Sequence, residues 1–185
     1  MKFAAINGLS IHYRHIDAGA GKPLIVFSNS LATDFRIWRD VIVQLAGKFP
    51  MLTYDKRGHG LSDIGQSPYQ IDDHVNDLVA LMDRLEISNA VICGLSVGGL
   101  IAMRLSKVRP DLVSSLVLCD TAPKIGTEPM WEERMEIARR DGMAGLLKAN
   151  MERWFTPNFH THHTAELDGY SNMFLRVPLE GYLGT

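Results

Sequence analysis

Residues 90–99 read AVICGLSVGG, and this stretch decides how the rest of the chain is interpreted. An apolar run with branched side chains predicts a buried strand, and a helical pattern follows it directly. Between the two, residues 94–98 match G-x-S-x-G, which places a serine on a sharp turn from strand to helix. Gly94 and Gly98 let neighbouring backbone approach closely. The pattern predicts Ser96 as a nucleophile facing the free N–H groups of the helix; an ordinary glycine-rich turn is the alternative.

Length, charge and cysteine content limit the classes of protein that fit. The chain has 185 residues, of which 46% are hydrophobic, and this supports one domain with a real core. A formal net charge of -2 gives no reason to expect a nucleic-acid partner. No apolar run is long enough to cross a membrane, and the N-terminus lacks the apolar stretch of a signal peptide. We therefore expect a cytoplasmic protein that binds a small-molecule substrate, with Cys93 and Cys119 as core residues.

Strand and helix patterns alternate from residue 24 to residue 119. Apolar residues at helical spacing fill the segments between strands, and Asn7-Gly8 joins two earlier apolar-rich runs as a predicted hairpin. This alternation predicts an α/β fold with a mostly parallel sheet and helices on both faces. The predicted buried strands of the alternating part are residues 24–27, 51–54, 90–93 and 116–119.

Ligands of such sheets sit beyond the carboxyl ends of the strands. Residues 28–31 and 55–62 follow two predicted strands, and Ser96 and Asp120 follow two others. We therefore expect these four segments to converge in space.

The character of the sequence changes after Pro123. Strand signals fade, and helical patterns cover residues 131–140 and 143–155. Methionines are frequent here, which suits a lid that adapts to a substrate, although irregular packing between cap and core explains most of them. We divide the chain into the N-terminal part of the core, residues 1–123, and a helical cap, residues 124–185.

The chain resembles the α/β-hydrolase fold family in residues 94–98, in the loop DKRGHGLS at 55–62 and in SNSL at 28–31. The resemblance covers nearly the whole chain. Within that family the chain is most similar to the 3-oxoadipate enol-lactonases of the β-ketoadipate pathway of aromatic breakdown. Asn29-Ser30 is the most telling segment, because many members carry His-Gly there. The resemblance implies a serine hydrolase that opens a small carboxylic ester or lactone, with no metal and no cofactor.

Two backbone N–H groups should stabilise the oxyanion of such a reaction. One is the N–H of Val97, which directly follows the nucleophile. By the family pattern, the second is the N–H of Leu31. Both groups should point to one spot about 3 Å from each.

The triad of this family runs Ser, then Asp or Glu, then His, and here the chain departs from the pattern. The histidines after Ser96 lie in one polar run, residues 160–163, and nothing resembles the family's late strand–loop–His segment. We therefore expect a fragment that stops within the cap, before the C-terminal strands. The acid and the histidine would then be missing or carried by a complementary C-terminal fragment as partner. Asp120 is a candidate acid within the chain, or a brace for the loop before the cap.

Several other residues have a structural interpretation beside a functional one. We expect His59 to pack within its glycine-rich turn, because it precedes Ser96, and Asp55 and Arg57 to pair with each other. Residues 160–163 lack the companion ligands of a metal site and are interpreted as a solvated loop. Trp131 and Trp154 either line the substrate pocket or anchor the cap on the core. An arginine should bind the carboxylate of an enol-lactone, and the candidates are Arg134, Arg139, Arg140, Arg153 and Arg176.

Three alternative functions remain open from the sequence. Another small-ester hydrolase and a cofactor-free haloperoxidase share these motifs. A non-catalytic binding module of the same fold is the alternative from another class, since the triad histidine is not evident. The intact Ser96 favours an enzyme.

Overall fold

The computed structural model describes residues 2–19 and 21–185, so residues 1 and 20 of the predicted core lie outside the described residues. Within the described part, six strands form one sheet in the spatial order first, second, fourth, third, fifth, sixth. The strands are β1 (Lys2–Ile6), β2 (Leu9–Ile16), β3 (Ile25–Ser28), β4 (Met51–Tyr54), β5 (Ala90–Leu95) and β6 (Val113–Cys119).

Four of these strands run parallel, which confirms the predicted sheet. β3 pairs in parallel with both β4 and β5, and β5 pairs in parallel with β6. β1 and β2 form the predicted hairpin, in which Asn7 and Gly8 both adopt positive φ, and β2 joins the sheet antiparallel to β4. The positive φ angles match the hairpin turns that suit the twist of the strands.

Helices cover both faces of the sheet. The helices of this part are α1 (Arg39–Leu45), α2 (Ile71–Arg84) and α3 (Val97–Val108). Val26 and Ile92 face the side covered by α2 and α3, whereas Phe27 and Cys93 face the side of Trp38 and α1. Because side chains alternate along a strand, consecutive apolar residues fill both layers.

The strand β6 differs from the prediction of full burial. It is an edge strand that pairs only with β5 among the described strands, and Val117 and Leu118 are each 45% exposed. An edge position leaves such a strand without a neighbour on its outer side, which accounts for the exposure. Of the two cysteines, Cys93 is buried and Cys119 is half-buried; both are free thiols.

The residues after β6 are mainly helical, as the sequence predicts. They form α4 (Glu128–Trp154), α5 (Pro157–His162), α6 (Thr164–Leu175) and α7 (Leu179–Gly184). Gly142 interrupts α4 with φ 66° and ψ -167°, at the break between the two predicted helical patterns.

These helices share an apolar cluster of their own. Met143 and Met151 are buried there with Phe174 and Tyr182, and Ala32 from the sheet layer joins them. Those two methionines therefore pack the interior of this region. The domain boundary at residue 123 stays a prediction. Among the described helices, none is both long and apolar enough to cross a membrane.

Candidate active site

Ser96 sits on the turn that the sequence predicts, between the end of β5 and the start of α3. Its backbone has φ 54° and ψ -118°, a conformation that residues with a side chain rarely adopt. Two hydrogen bonds hold it there: the Ser96 N–H donates to the Cys119 carbonyl at 3.0 Å, and the Thr121 hydroxyl donates to the Ser96 carbonyl at 2.8 Å. The loop after β6 thus fixes the strained turn.

Glycines flank Ser96 because backbone passes too close for a side chain. A Cβ on Gly94 would lie 2.3 Å from the Gly98 carbonyl oxygen. A Cβ on Gly98 would lie 2.1 Å from the carbonyl oxygen of Ser28, at the end of β3. These distances are far below van der Waals contact, so the motif spacing is a packing requirement of this turn.

The two N–H groups predicted to stabilise an oxyanion have no other use in the described structure. Among the residues described, neither Leu31 N–H nor Val97 N–H has a hydrogen-bond acceptor. Both residues line a cavity of about 350 Å³ together with Ser96, Trp131 and Tyr182. The geometry permits the predicted oxyanion hole, whose role stays a prediction.

The segment after β3, residues 28–33, is fixed by side chains from neighbouring elements. The Asn29 amide donates to the Tyr54 carbonyl at 3.1 Å and accepts from the Trp38 indole N–H at 3.0 Å. The Ser28 hydroxyl lies 3.0 Å from the Tyr54 hydroxyl. The Asn29-Ser30 segment is thus locked, and Asn29 acts as a buried structural link.

His59 packs within its turn, as expected. Its Nδ1 lies 3.1 Å from the Arg57 carbonyl, and its Nε2 accepts from the Ala32 N–H at 3.1 Å. Burial and the nearby Lys56 charge hold the pKa of His59 well below its usual range. With both ring nitrogens engaged, His59 has no lone pair left to act as a base.

The predicted pair of Asp55 with Arg57 is wrong. Asp55 lies 2.8 Å from His12 Nδ1 on β2, and Arg57 binds Asp77 on α2 through two hydrogen bonds of 2.7 and 2.8 Å. The two side chains leave the loop in different directions, so Asp55 contacts β2 and Arg57 contacts α2. Their partners are distant in sequence, and no local pattern signals them.

Asp120 and Trp154 line a second cavity that also borders Ser96. This cavity has a volume of about 530 Å³, and Ser30 and Arg153 lie on its wall. Trp154 also packs edge-on against Phe174, with ring centroids 5.7 Å apart.

Trp131 lines the first cavity, and its indole N–H donates to the Ile125 carbonyl at 2.8 Å. Both tryptophans therefore face a cavity and are fixed within the helical part. The interpretations as pocket lining and as anchor are compatible here.

The interpretation of residues 160–163 as a loop is wrong, because α5 extends to His162. His160 Nε2 is 3.1 Å from the Met151 carbonyl, and His163 stacks on Phe159 with centroids 4.8 Å apart. In the part of the chain that the structure describes, no histidine lines either cavity beside Ser96. The same described ranges contain no group of three side chains suited to hold a metal ion.

The five candidate arginines are now distinguishable. Arg140 pairs with Asp141 at 2.8 Å, Arg139 is exposed, and Arg176 lines a different cavity near His12.

Arg134 and Arg153 remain as candidates beside the Ser96 cavities, and within the described residues neither has a carboxylate partner. Arg134 donates to the Asn150 side-chain oxygen at 3.0 Å and to the Tyr182 hydroxyl at 3.1 Å. Burial, together with the charge of Arg134, lowers the pKa of Arg153.

The chain belongs to the α/β hydrolase fold family, which matches residues 23–163. Two curated relatives, both from Acinetobacter baylyi, are 3-oxoadipate enol-lactonases. 3-Oxoadipate enol-lactonase 2 is 34% identical over 88% of this chain and 61% of its own length. 3-Oxoadipate enol-lactonase 1 is 32% identical over 90% of this chain and 62% of its own length. The chain thus spans about three fifths of the curated relatives it matches.

A solved structure agrees in fold and sequence. The crystal structure of the enol-lactonase from Burkholderia xenovorans superposes with a TM-score of 0.93 and 38% identity, covering 99% of this chain and 71% of that one. The fold predicted from the sequence is confirmed, and the chain is an α/β hydrolase.

Proposed function

We propose that this protein is a serine hydrolase that opens a small, carboxylate-bearing lactone, specifically 3-oxoadipate enol-lactone. One observation carries the proposal: Ser96 stands on a strained turn beside a cavity that Leu31 and Val97 also line, and the N–H groups of these two residues have no acceptor in the described structure. Free donors beside a half-buried serine that borders a cavity suit a reaction in which negative charge develops on an acyl oxygen.

The reaction follows from this arrangement. The Ser96 hydroxyl attacks the lactone carbonyl carbon, and the carbonyl oxygen takes up negative charge between the two N–H groups. The ring C–O bond then breaks, the enol oxygen leaves with a proton, and water hydrolyses the acyl-enzyme. Losing one oxyanion donor from such a site costs about 100- to 1000-fold in turnover.

The acid and the base of the triad belong to the proposal as well. We assign them to a complementary C-terminal fragment, because no histidine of the described residues lines either cavity beside Ser96. The outer edge of β6 carries exposed Val117 and Leu118 and suits the addition of a further strand. Asp120, which shares a cavity with Ser96, remains the candidate acid within the chain.

The substrate class is argued from charge. Arg153 lines the cavity of about 530 Å³ with Ser96, and within the described residues it has no carboxylate partner. A guanidinium that lines a cavity without an ion-pair partner favours an anionic ligand, since a charge-assisted hydrogen bond contributes about 1.5–3 kcal/mol. The enol-lactone supplies a carboxylate, which a simple aryl ester lacks.

Substrate preference tests this proposal on protein purified from its natural host. We expect kcat/KM for 3-oxoadipate enol-lactone to exceed that for 4-nitrophenyl acetate by about 10- to 100-fold or more, the contribution of one charge-assisted contact. Equal or reversed preference argues for another small-ester hydrolase. A fluorophosphonate probe that leaves Ser96 unlabelled excludes a serine hydrolase and favours the binding module.

A further inference from the structure

Lys56 is a buried cation that the proposed reaction does not use. It follows β4, its residue is 2% exposed, and its Nζ donates to the Ser30 carbonyl at 2.6 Å. Burial lowers the pKa of Lys56 to about 7, against the opposing effect of Asp55 and Asp34. Burying a charged amine costs free energy, so the hydrogen bond from Lys56 Nζ to Ser30 needs an explanation.

The Ser30 carbonyl and the Leu31 N–H belong to one peptide group. This peptide is trans, because Ser67-Pro68 is the cis bond of the described chain. In a trans peptide the C=O and the N–H point in opposite directions. The atom that Lys56 binds therefore determines where the Leu31 N–H points, and that direction is away from Lys56.

The carbonyl is held twice, and the next peptide is held as well. The Thr33 hydroxyl donates to the same Ser30 oxygen at 3.0 Å. The Ala32 N–H donates to His59 Nε2 at 3.1 Å, and Ala32 itself has φ 60°. Two consecutive peptide planes are thus fixed around Leu31, and its N–H is left without an acceptor in the described structure.

We propose that Lys56 is a positioning residue that orients the Leu31 N–H toward the Ser96 cavity and strengthens it as a donor. A cation on the carbonyl oxygen withdraws electron density from the peptide, so the N–H becomes more polar. The inference rests on the proposed function, in which Leu31 supplies an oxyanion donor. Lys56 acts through the peptide and touches no reacting atom.

The surroundings of Lys56 determine how its effect varies with pH. The negative charges of Asp34 and Asp55 favour the protonated form of Lys56. His59 and His74 are the neighbouring groups that could themselves become positively charged. The pKa values of both histidines are lowered by burial and by the Lys56 charge, so they stay neutral near pH 7. Protonated Lys56 dominates below pH 7, and the neutral amine above it is a weaker donor to Ser30.

Nuclear magnetic resonance tests the inference on the 185-residue chain without requiring turnover. We expect the ¹H–¹⁵N resonance of Leu31 to move between pH 5.5 and 8.5 with a midpoint near that of Lys56, about 7. Lys56→Met, which keeps the side-chain length and removes the donor, should shift the resonance and abolish the titration. Thr53→Val is the matched control, since its buried hydroxyl has no partner in the described structure. If the Leu31 chemical shift of the wild type does not change over this pH range, the proposal is overturned, even if Lys56→Met does not fold.

Kinetics on the active protein separates positioning from binding. Lys56→Met should lower kcat on the lactone about 10- to 100-fold with KM within about twofold, a partial loss of one oxyanion donor. Thr53→Val should leave both constants unchanged. A Lys56→Met enzyme with wild-type kcat overturns this inference while the proposed function stands. If the wild type hydrolyses nothing, the proposed function fails, and the Leu31 titration alone decides whether Lys56 fixes this amide.

Discussion

The two walls of the Ser96 cavities satisfy their polar groups in different ways. On the loop wall, residues 28–33, the side chains of Trp38, Lys56 and His59 bind Asn29 Oδ1, the Ser30 carbonyl and the Ala32 N–H in turn. On the helix wall, residues 128–154, Arg134 and Arg153 have no carboxylate partner among the described residues. A fixed wall suits transition-state stabilisation, and an unpaired cation suits the recognition of an anion. Substitutions in the loop wall should therefore change kcat or stability. Substitutions in the helix wall should change KM.

The largest effect is expected at the nucleophile that the loop wall faces. Ser96→Ala should lower turnover by about 10⁴-fold or more, because the hydroxyl that forms the acyl-enzyme is lost. Labelling by a fluorophosphonate, followed by mass spectrometry, should disappear with it. Ser106→Ala is the control, since its hydroxyl donates to the Met103 carbonyl within α3. Residual labelling of the Ser96→Ala protein would point to another serine and remove the basis of the comparison.

The second effect tests how tightly the turn is packed against the loop wall. Gly98→Ala puts a Cβ 2.1 Å from the Ser28 carbonyl oxygen, and backbone cannot move aside as a side chain can. We expect the free energy of unfolding to fall by about 3 kcal/mol, measured by urea denaturation. Gly169→Ala, in α6 with nothing within 4 Å of the new Cβ, should instead stabilise by up to about 1 kcal/mol. Equal effects at both glycines would contradict the close approach.

The same contrast between walls explains what the sequence predicts. The strand pattern, the Asn7-Gly8 hairpin and the G-x-S-x-G turn are local signals, and each lies where the structure has it. The exposure of β6 was not predictable, because it depends on which strands neighbour it.

The site residues were predictable only where a short stretch of sequence determines their position. Ser96 and Val97 follow from the turn, whereas Leu31 depends on the family pattern. The roles of Lys56 and Asp77 have no local signal, since their partners Ser30 and Arg57 are about 20 or more residues away in the sequence and meet them only in the folded chain. The sequence does place Asp141 directly after Arg140, but it does not indicate that Arg153 lines a cavity with Ser96, because that depends on the folded chain.

The third effect tests the helix wall. Arg153→Gln should raise KM for 3-oxoadipate enol-lactone about 10- to 100-fold, the loss of a charge-assisted contact, and change kcat little. Hydrolysis of 4-nitrophenyl acetate, which carries no carboxylate, should keep its KM. Arg140→Gln is the matched control, because that guanidinium pairs with Asp141 on the surface. If Arg153→Gln lowers kcat on both substrates instead, the two walls share one role and the comparison fails.

The smallest effect concerns α2, which packs against α3 and carries a buried histidine whose pKa the charge of Lys56 affects. His74 is buried edge-on to Tyr69 at 5.4 Å, and in the described structure neither ring nitrogen has a hydrogen-bond partner. Burial and the charges of Lys56 and Arg57 lower the pKa of His74 from 6.5 to about 3. Below pH 6.5 the unfolded chain therefore binds a proton that the folded chain excludes, and stability decreases as the pH falls.

His74→Leu isolates this contribution. From pH 7 to pH 5 the wild type should lose about 1–2 kcal/mol more of its unfolding free energy than the variant, since each pH unit below 6.5 contributes about 1.4 kcal/mol per excluded proton. Urea denaturation at the two pH values measures the difference, and other titrating groups cancel between the two proteins. His162→Gln, at an exposed position in α5, should leave the wild-type pH dependence intact. Equal losses of unfolding free energy in wild type and His74→Leu would mean that His74 accepts its proton in the folded protein, and that this part of α2 is less closed to water than its burial indicates.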